Sequence, residues 1–529
     1  MRTSLLPISI ATALVLVASS GSAQQDVGLV EFANSGSAAA QESFLRGLAL
    51  LHNFEYSSAA ESFRQAQTVD PGFALAYWGE AMTYNHPLWA QQDLPAATAT
   101  LARLAPTAAL RLAKAPTPRE RDYLHAVEVL YGTGTKEERD FDYADAMAAL
   151  HAKYSDDVDA TAFDALAILG TAHQGRDFSI YMRSAALLEE VLPGHLRHPG
   201  VLHYLIHSYD DPAHAPLGLR AARRYGAVAP NAGHALHMTS HIFLALGMWD
   251  ETVSANRRAM EVVNAQRAAK TLPPRQCGHY ISWLHYALLQ ERRLDEAKQV
   301  LDACRAQALA APASNAKQST DADDSDITGF AEMRLFDLVD AGHWNVADSR
   351  EIAARSSVRA RFDSAYGDAL WSLRGGGDPQ EAADRVTALR AARDGLLATL
   401  DLDKVTDAGN RARPDLMTRQ IEGLVLLRSG KAADGLAVLD KVAREEGALP
   451  NAFGPPEIQK PSYELLGEEL LAAGRTDEAG TAFRAALARA PGRTTTLQHL
   501  LAVHQKRGDA PAIAATQQIL DHCLHGGTP

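Results

Sequence analysis

The sequence has few cysteines, no strongly basic region and, after its first residues, no long hydrophobic run. Three cysteines in 529 residues exclude a framework of several disulfides. Acidic residues number 64 against 51 lysines and arginines, and the net charge of −13 argues against nucleic acid or an anionic membrane as the main partner. Beyond the N-terminus, no stretch approaches the ~20 uncharged apolar residues that a membrane-spanning helix needs.

Motifs of several enzyme classes are also missing. The sequence has no GxxxxGK[ST] phosphate loop, no GxGxxG after a strand and no GxSxG turn for a nucleophilic serine. It has no CxxCH haem-attachment motif and no CxxC pair. These absences argue against nucleotide-dependent, serine-hydrolase and c-type haem chemistry, and they leave open whether the protein is an enzyme.

Residues 1–23 have the features of an export signal. Arg2 provides a positive start, residues 8–18 form a short apolar run, and residues 21–23 give a small-residue cleavage site. The apolar run is too short to span a bilayer. We therefore expect a periplasmic or secreted protein, in a compartment where a disulfide can form.

The cysteines allow one disulfide within a single hairpin. Cys277 lies just before one predicted helix and Cys304 lies near the end of its partner helix, so a Cys277–Cys304 bridge across the open end is feasible. Two free thiols are the alternative. Cys523 lies in a C-terminal tail that we expect to be unstructured.

Two distant segments repeat one five-place pattern of small residue, small residue, aromatic, small residue and proline. The places are Gly47, Ala59, Phe63, Ala66 and Pro71 in the first segment, and Gly467, Ala479, Phe483, Ala486 and Pro491 in the second. The spacings are identical, and they resemble the tetratricopeptide repeat, a helical hairpin in which small residues let two helices touch. Further units are predicted around Ala81, Ala167, Ile206, Ser240, His285, Leu335 and Gly423.

We therefore predict an all-α solenoid of tetratricopeptide hairpins wound into a right-handed superhelix. Residues 24–305 form an N-terminal array that holds the histidine-rich repeats. Residues 306–328, rich in Ala, Ser and Asp, form a flexible insertion that divides the solenoid into two halves. A C-terminal array covers residues 329–529.

The chain resembles a family of exported bacterial tetratricopeptide proteins over most of its mature length. The stretches that carry the resemblance are residues 77–87, 198–211, 237–243, 453–456 and 460–468. The histidine-rich middle is similar, more distantly, to the tetratricopeptide repeat protein 38 family. The resemblance implies the fold and a ligand-binding concave groove, but no particular reaction or substrate.

Two successive repeats carry histidine at the same two helical places. His203 and His207 lie three before and one after the packing residue of one repeat, and His237 and His241 have the same offsets in the next repeat. At 100° per residue, both places lie about 60–100° away from the packing residue. We expect these four histidines to line the groove and not to belong to the core.

Other polar residues extend this stripe. Four of them share its helical face: His234, His279, Asp210 and Asp211. His285 takes a packing place itself, and we expect it to be buried and hydrogen-bonded. Glu464 and Glu468 occupy the two histidine places of a C-terminal repeat. If the superhelix curls back they would add carboxylates to the site, and otherwise they form a solvated acidic face.

Metal binding is the leading interpretation of the stripe. A histidine pair at i, i+4 can hold an ion from one helix, and two stacked helices could supply four imidazoles. A donor set of imidazole and carboxylate without thiolate suits Zn, Fe(II), Mn or Cu(II). Asp210 or Asp211 could add a ligand or orient an imidazole. An open coordination position would permit activation of water or dioxygen.

Two other interpretations remain open. In one, the groove binds a polar small ligand, or it docks a peptide or protein tail as a metal-free scaffold without a cofactor. In the other, the histidines only join helices through hydrogen bonds and bind nothing.

Overall fold

The structure, a computed structural model, describes residues 26–310, 326–355, 358–375, 379–399, 405–451 and 453–525. The export signal predicted for residues 1–23 lies outside these ranges. The described residues form twenty-five α-helices and one two-stranded ribbon, so the predicted all-α class is confirmed. Among them, no helix is both long enough and apolar enough to pass through a bilayer.

Fifteen helices precede the predicted insertion. In chain order they are α1 (Gln41–His52), α2 (Tyr56–Val69), α3 (Ala74–Met82), α4 (Leu94–Leu104), α5 (Ala108–Leu112), α6 (Pro118–Leu130), α7 (Lys136–Lys153), α8 (Val158–Gly170), α9 (Phe178–Val191), α10 (Pro199–Tyr209), α11 (Ala215–Val228), α12 (Gly233–Ala245), α13 (Trp249–Ala269), α14 (His279–Gln290) and α15 (Leu294–Ala310). Between α3 and α4, β1 (Asn85–His86) pairs antiparallel with β2 (Gln91–Gln92).

Ten helices follow the insertion. They are α16 (Asp326–Ala341), α17 (Val346–Ala353), α18 (Val358–Arg374), α19 (Pro379–Leu397), α20 (Val405–Arg428), α21 (Ala432–Gly447), α22 (Ser462–Ala472), α23 (Thr476–Arg489), α24 (Thr494–Arg507) and α25 (Ala510–His525). The predicted insertion has helical ends, because α15 continues to Ala310 and α16 begins at Asp326. Residues 311–325 lie outside the described ranges.

Small residues bring the helices of each hairpin into contact, as the repeat pattern requires. A Cβ atom added to Gly47 of α1 would lie 3.0 Å from the Phe63 ring of α2. At the other end of the chain, a Cβ on Gly467 of α22 would lie 2.5 Å from the Phe483 ring of α23. Because one methyl group would overfill these contacts, the hairpins pack as tetratricopeptide units.

Polar side chains fix where several helices begin. Thr117 and Thr135 each accept a hydrogen bond from the backbone three residues later, and the glutamate at that position bonds back to the threonine. At the start of α10, the Nδ1 atom of His198 accepts a hydrogen bond from the Val201 N–H group, 3.2 Å away. His198 therefore has its other ring nitrogen, Nε2, available as a donor.

The C-terminal helices fold back onto α13 and α14. The indole Nε1 of Trp249 donates to the carbonyl oxygen of Gly492 over 3.0 Å, and a Cβ on Gly247 would lie 2.7 Å from the Gly492 Cα. Apolar residues of both regions form one buried cluster, which includes Trp249, Trp283, Leu497, Leu520 and Cys523. The expectation that Cys523 lies in an unstructured tail is wrong, because α25 buries it in this cluster.

A buried ion network stabilises the C-terminal helices in this folded-back position, which we call the closure. The Arg493 guanidinium, 1% exposed, donates to Asp340 of α16 over 2.8 Å and to Glu464 of α22 over 2.7 Å. Lys460 donates to Glu464 over 2.7 Å and to Glu468 over 2.5 Å. The superhelix does curl back, but both glutamates are bound to these cations and neither joins the histidines. Burial of charge is tolerated here because every charge has a partner.

Cys277 and Cys304 form a disulfide that joins the segment before α14 to α15. Both residues are buried. The bridge ties the start of α14, which carries His279, to the neighbouring helix.

The stability of the closed solenoid should depend on Arg493. Arg493→Ala leaves Asp340 buried without a counter-charge and Glu464 with Lys460 alone, so we expect a loss of about 3–5 kcal/mol in the free energy of unfolding. Urea denaturation followed by circular dichroism measures this loss. Arg475→Ala, which removes an exposed arginine paired with Glu478, is the matched control and should change little. Equal effects of the two variants would contradict a stabilising role for the network.

Candidate histidine metal centre

Three neighbouring helices bring six histidines into one group, here called the histidine cluster. Its members are His203 and His207 on α10, His234, His237 and His241 on α12, and His279 at the start of α14. Neighbouring rings have centroids between 4.7 and 6.1 Å apart. His203, His207, His237 and His241 are at most 5% exposed, whereas His279 is exposed at the edge.

The ring nitrogens converge in two sets of three. One nitrogen from each of His203, His207 and His234 lies within 4.8 Å of the others, and these residues form the first triplet. His237, His241 and His279 form the second triplet by the same criterion. The sequence offered two histidine pairs as candidate ligands, with His234 and His279 as possible additions. The structure places His234 beside the first pair and His279 beside the second, because the next helix of the solenoid begins there.

In the second triplet, the Nε2 atoms of two buried rings face each other. His241 Nδ1 donates to the Asp210 carboxylate over 2.5 Å, and His237 Nδ1 donates to the side-chain oxygen of Asn256 over 2.7 Å. The Asn256 amide nitrogen is used in a bond to Thr252, so its oxygen must face the ring. The Nε2 atoms of the two rings then lie 3.2 Å apart. Two lone pairs at this distance would repel each other, and a cation or a proton between them removes the repulsion.

In the first triplet, buried ring nitrogens have no hydrogen-bond partner among the described residues. His203 Nδ1 donates to the carbonyl oxygen of His52 over 2.6 Å, which leaves its Nε2 unpaired. Both ring nitrogens of His207 and the Nε2 of His234 are also unpaired. Buried polar atoms without a partner are uncommon in native proteins, so this set marks a place for a ligand.

Aromatic residues enclose the cluster. The Phe54 ring lies 4.3 Å from His203 and also contacts His207 and His234. Its backbone φ of 56° is in the left-handed region, which is unfavourable for a bulky side chain and is retained at sites that packing over-determines. On the other side, the Trp283 ring lies 4.4 Å from His241.

Residues of the C-terminal part of the chain shield the rest of the histidine cluster from solvent. The Phe453 ring lies 6.3 Å from His207, and the next residue, Gly454, packs against Trp283 so closely that a Cβ there would lie 2.0 Å from the indole. Arg176 stacks on Phe453 at 5.0 Å and donates to the backbone oxygen of His207 over 2.9 Å. The folded-back array therefore helps to exclude water from the histidines.

This enclosure favours the neutral form of His203, His207, His234 and His237. Burial lowers the pKa of His203 to about 3, from an ordinary value of 6.5. Burial, followed by the charges of neighbouring histidines, lowers the pKa of His207, His234 and His237 well below that ordinary value. Neutral imidazole is the form that binds metal ions, so these rings are ready to act as ligands near pH 7.

The two aspartates of the stripe have different surroundings. Asp210 accepts the hydrogen bond from His241, so it orients a ring of the second triplet. Asp211 instead pairs with Arg176 over 3.2 Å and with His214 over 2.9 Å, and it accepts hydrogen bonds from the backbone at the start of α11.

His285 lies on α14 away from the cluster. It is fully buried, as expected, but neither ring nitrogen has a hydrogen-bond partner within the described part of the chain. Its nearest acid is Asp337, with an oxygen 4.0 Å from Nε2. Burial lowers the pKa of His285 to about 3.

A third group consists of His52, Asp159 and His198. Both Nε2 atoms lie near one Asp159 oxygen, at 2.9 Å from His52 and 3.2 Å from His198. His198 uses Nδ1 as an acceptor, so its Nε2–H donates to Asp159. His52 Nδ1 bonds to the Tyr204 hydroxyl over 2.9 Å. All four ring nitrogens of the two histidines are hydrogen-bonded, whereas the second Asp159 oxygen is buried without a partner among the described residues. The carbonyl of His52 accepts the hydrogen bond that orients His203.

No protein-family model matches the chain, and neither does any curated protein. Helical-repeat proteins are found among solved structures. The human IFIT1 dimer with m7Gppp-AAAA is 12% identical, with 94% of this chain and 91% of that chain covered and a TM-score of 0.35. Yeast Tom70 is 10% identical, with coverages of 91% and 99% and a TM-score of 0.32. The Cut9–Hcn1 hetero-tetramer of APC/C is 10% identical, with coverages of 94% and 76% and a TM-score of 0.33. Likeness at this level carries no argument about function.

His285 should make the stability of the protein depend on pH. Its pKa is lowered in the folded chain, so the unfolded chain takes up a proton near pH 6.5 while the folded chain does so only near pH 3. The free energy of unfolding should therefore fall as the pH drops below about 6.5, by up to about 1.4 kcal/mol per pH unit from this group. His285→Leu should remove this contribution. Urea unfolding at pH 7.5 and pH 5 measures the difference.

His125, an exposed residue of α6, provides the control. His125→Leu should follow the pH dependence of the wild type. If His285→Leu also follows the wild type, the lowered pKa of His285 is refuted.

Proposed function

We propose that the protein binds transition-metal ions through the histidine cluster, with one ion in each triplet. The observation that carries this proposal is the close approach of the Nε2 atoms of His237 and His241, which are buried and 3.2 Å apart. Metal–imidazole bonds of 2.0–2.1 Å in a tetrahedral site place neighbouring ligand atoms roughly 3.3 Å apart. The spacing of the two nitrogens therefore suits an ion that binds both.

The hydrogen bonds around the cluster support this function. Asp210, Asn256 and the His52 carbonyl each accept a hydrogen bond from the Nδ1 of a cluster histidine. Each of these bonds holds the hydrogen on Nδ1 and leaves Nε2 as the ligand atom, as is usual for metal-bound histidine. A donor set of nitrogen alone suits Zn, Fe, Mn or Cu among the first-row ions. Three protein ligands leave a coordination position open, so reaction chemistry at the metal is part of the proposal.

We also propose that the protein is exported. The Cys277–Cys304 disulfide supports this location, because structural disulfides persist in the periplasm and outside the cell and are rare in the cytosol. Export would place the histidine cluster where it meets metal ions from the environment.

Binding of a partner in the concave surface of the helical-repeat solenoid is the alternative function. Solenoids of this kind commonly present a concave surface to a peptide or protein partner. A metal-free scaffold, or a groove for a polar small molecule, is the function that a negative result in the metal measurements would favour.

The metal content of the protein tests the proposal directly. Protein reconstituted with each candidate ion and then desalted should hold two ions per chain by elemental analysis. His207→Ala should remove the ion of the first triplet and His241→Ala the ion of the second, so each variant should hold one. His285→Leu leaves both triplets intact and should hold two. Less than ~0.2 ions per wild-type chain after reconstitution would refute metal binding.

Asp210 should raise the metal affinity of the second triplet. Asp210→Asn removes the negative charge that the His241 ring meets, so we expect metal affinity at the second triplet to fall by about 10–100-fold. Competition with a chelator, in a His207→Ala background that keeps only this site, measures the change. Asp211→Asn is the adjacent control, because Asp211 faces Arg176 and not the histidines. An Asp210→Asn variant that binds as tightly as its control would contradict this role.

A further inference from the structure

We infer that the two triplets act as one dinuclear copper centre, filled as Cu(I), which takes dioxygen as the ligand between its two ions. This inference rests on the metal binding proposed above. It adds the identity of the metal, the coupling of the two sites and the class of the small molecule that reacts there.

The first argument is the contact between the triplets. The His207 and His241 rings have centroids 5.8 Å apart, and those of His234 and His237 are 6.1 Å apart. Tyr280 spans the boundary, since its hydroxyl lies 3.3 Å from His234 Nδ1 and its ring stacks on His237 at 4.4 Å. The two triplets are therefore adjacent. Ions held in them would be neighbours, and one diatomic ligand between them would bind both.

The second argument is charge. The six ligands are imidazoles, which bring no negative charge, and the carboxylate bonded to them is that of Asp210. Glu55 accepts the backbone N–H of His234 over 3.0 Å, and burial raises its pKa, while Arg176 is paired with Asp211. Two divalent ions would bring four positive charges into an apolar interior that holds few negative ones, which is costly. Of the candidate metals, copper alone has a stable monovalent ion that imidazole binds.

The third argument is a small apolar cavity beside the first triplet. Its volume is about 20 Å³, enough for one small molecule. Phe54 and Tyr204 form the wall nearest the histidines, and their rings lie 4.3 and 5.4 Å from that of His203. The rest of the lining is largely apolar and includes Leu51, Met82, Phe163, Leu166 and Ala167, together with the polar Asn85 and Asp140. A largely apolar cavity favours a neutral apolar guest over water, and dioxygen is such a guest.

The electrons of the reaction balance without a further reductant. Each Cu(I) ion gives one electron and becomes Cu(II), and dioxygen takes up both electrons and is reduced to peroxide. Release of hydrogen peroxide would need two protons from solvent. The protein contributes the six nitrogen ligands, the exclusion of water and the placement of both ions beside one another.

The test starts from metal-free protein loaded with Cu(I) under anaerobic conditions. We expect two copper ions per chain. On admission of dioxygen, we expect new charge-transfer absorption and a Cu(II) paramagnetic resonance signal far weaker than the copper content, because two Cu(II) ions that share one ligand couple magnetically. His203→Ala, which keeps only the second triplet, should bind one copper, and its oxidised form should give about one full spin per ion.

Three outcomes separate this inference from the proposed function. Two copper ions that oxidise to a full-intensity signal would show independent sites and overturn the inference. Bound copper that does not react with dioxygen would overturn it as well. Both results would leave metal binding intact, whereas a chain that retains no transition metal at all would overturn the proposed function itself.

The cavity has its own test. Ala167→Leu should fill the space, so we expect slower reaction of the copper-loaded protein with dioxygen at an unchanged two copper ions per chain. Xenon gas, which occupies small apolar cavities, should slow the wild-type reaction in the same way and does not require the variant to fold. If neither treatment changes the rate, the cavity is not the route or store of dioxygen.

Discussion

The stacking of successive hairpins, which brings rings of α10, α12 and α14 into contact, determines the geometry at the centre of the molecule. Helices that touch through small residues lie about 8–10 Å apart, so equivalent places in successive hairpins come within reach of one another. Histidines that recur at the same helical place along the sequence therefore lie close together in the structure. The disulfide before α14, the network around His52 and the cover from Phe453 all act on rings whose positions the helix packing has already set.

The protein contains two kinds of buried polar group, one charged and paired and the other neutral and partly unpaired. Around Arg493, full charges are retained because each cation meets a carboxylate, and this network closes the solenoid. Around His203 and His237, charge is avoided: burial holds the rings neutral and leaves several nitrogens without partners. In the network around Arg493, every charge has a partner within the protein. In the histidine cluster, several buried nitrogens have no partner among the described residues, which is why the histidines and not the larger ion network indicate a binding function.

Much of the fold was predictable, because Gly47 and Phe63 recur as Gly467 and Phe483 at the same spacing, and each pair makes the contact that the pattern implies. The paired histidines were also predictable from their helical places. Their division into two triplets was not, since it depends on where α12 and α14 begin. The burial of the site was missed because Phe453 reaches His207 from more than 240 residues away, and periodicity reports only local neighbours.

The closure between Trp249 and Gly492 has a consequence for how such a protein can change over time. Open solenoids gain and lose whole repeats readily, because each hairpin contacts only its neighbours. A solenoid that contacts itself is a ring, and the number of hairpins between the closing residues is then fixed by its circumference. Duplication or deletion of a unit in that interval would break the ring and uncover the histidines. Divergence of this protein should therefore proceed by substitution within repeats and by lengthening of its outer loops.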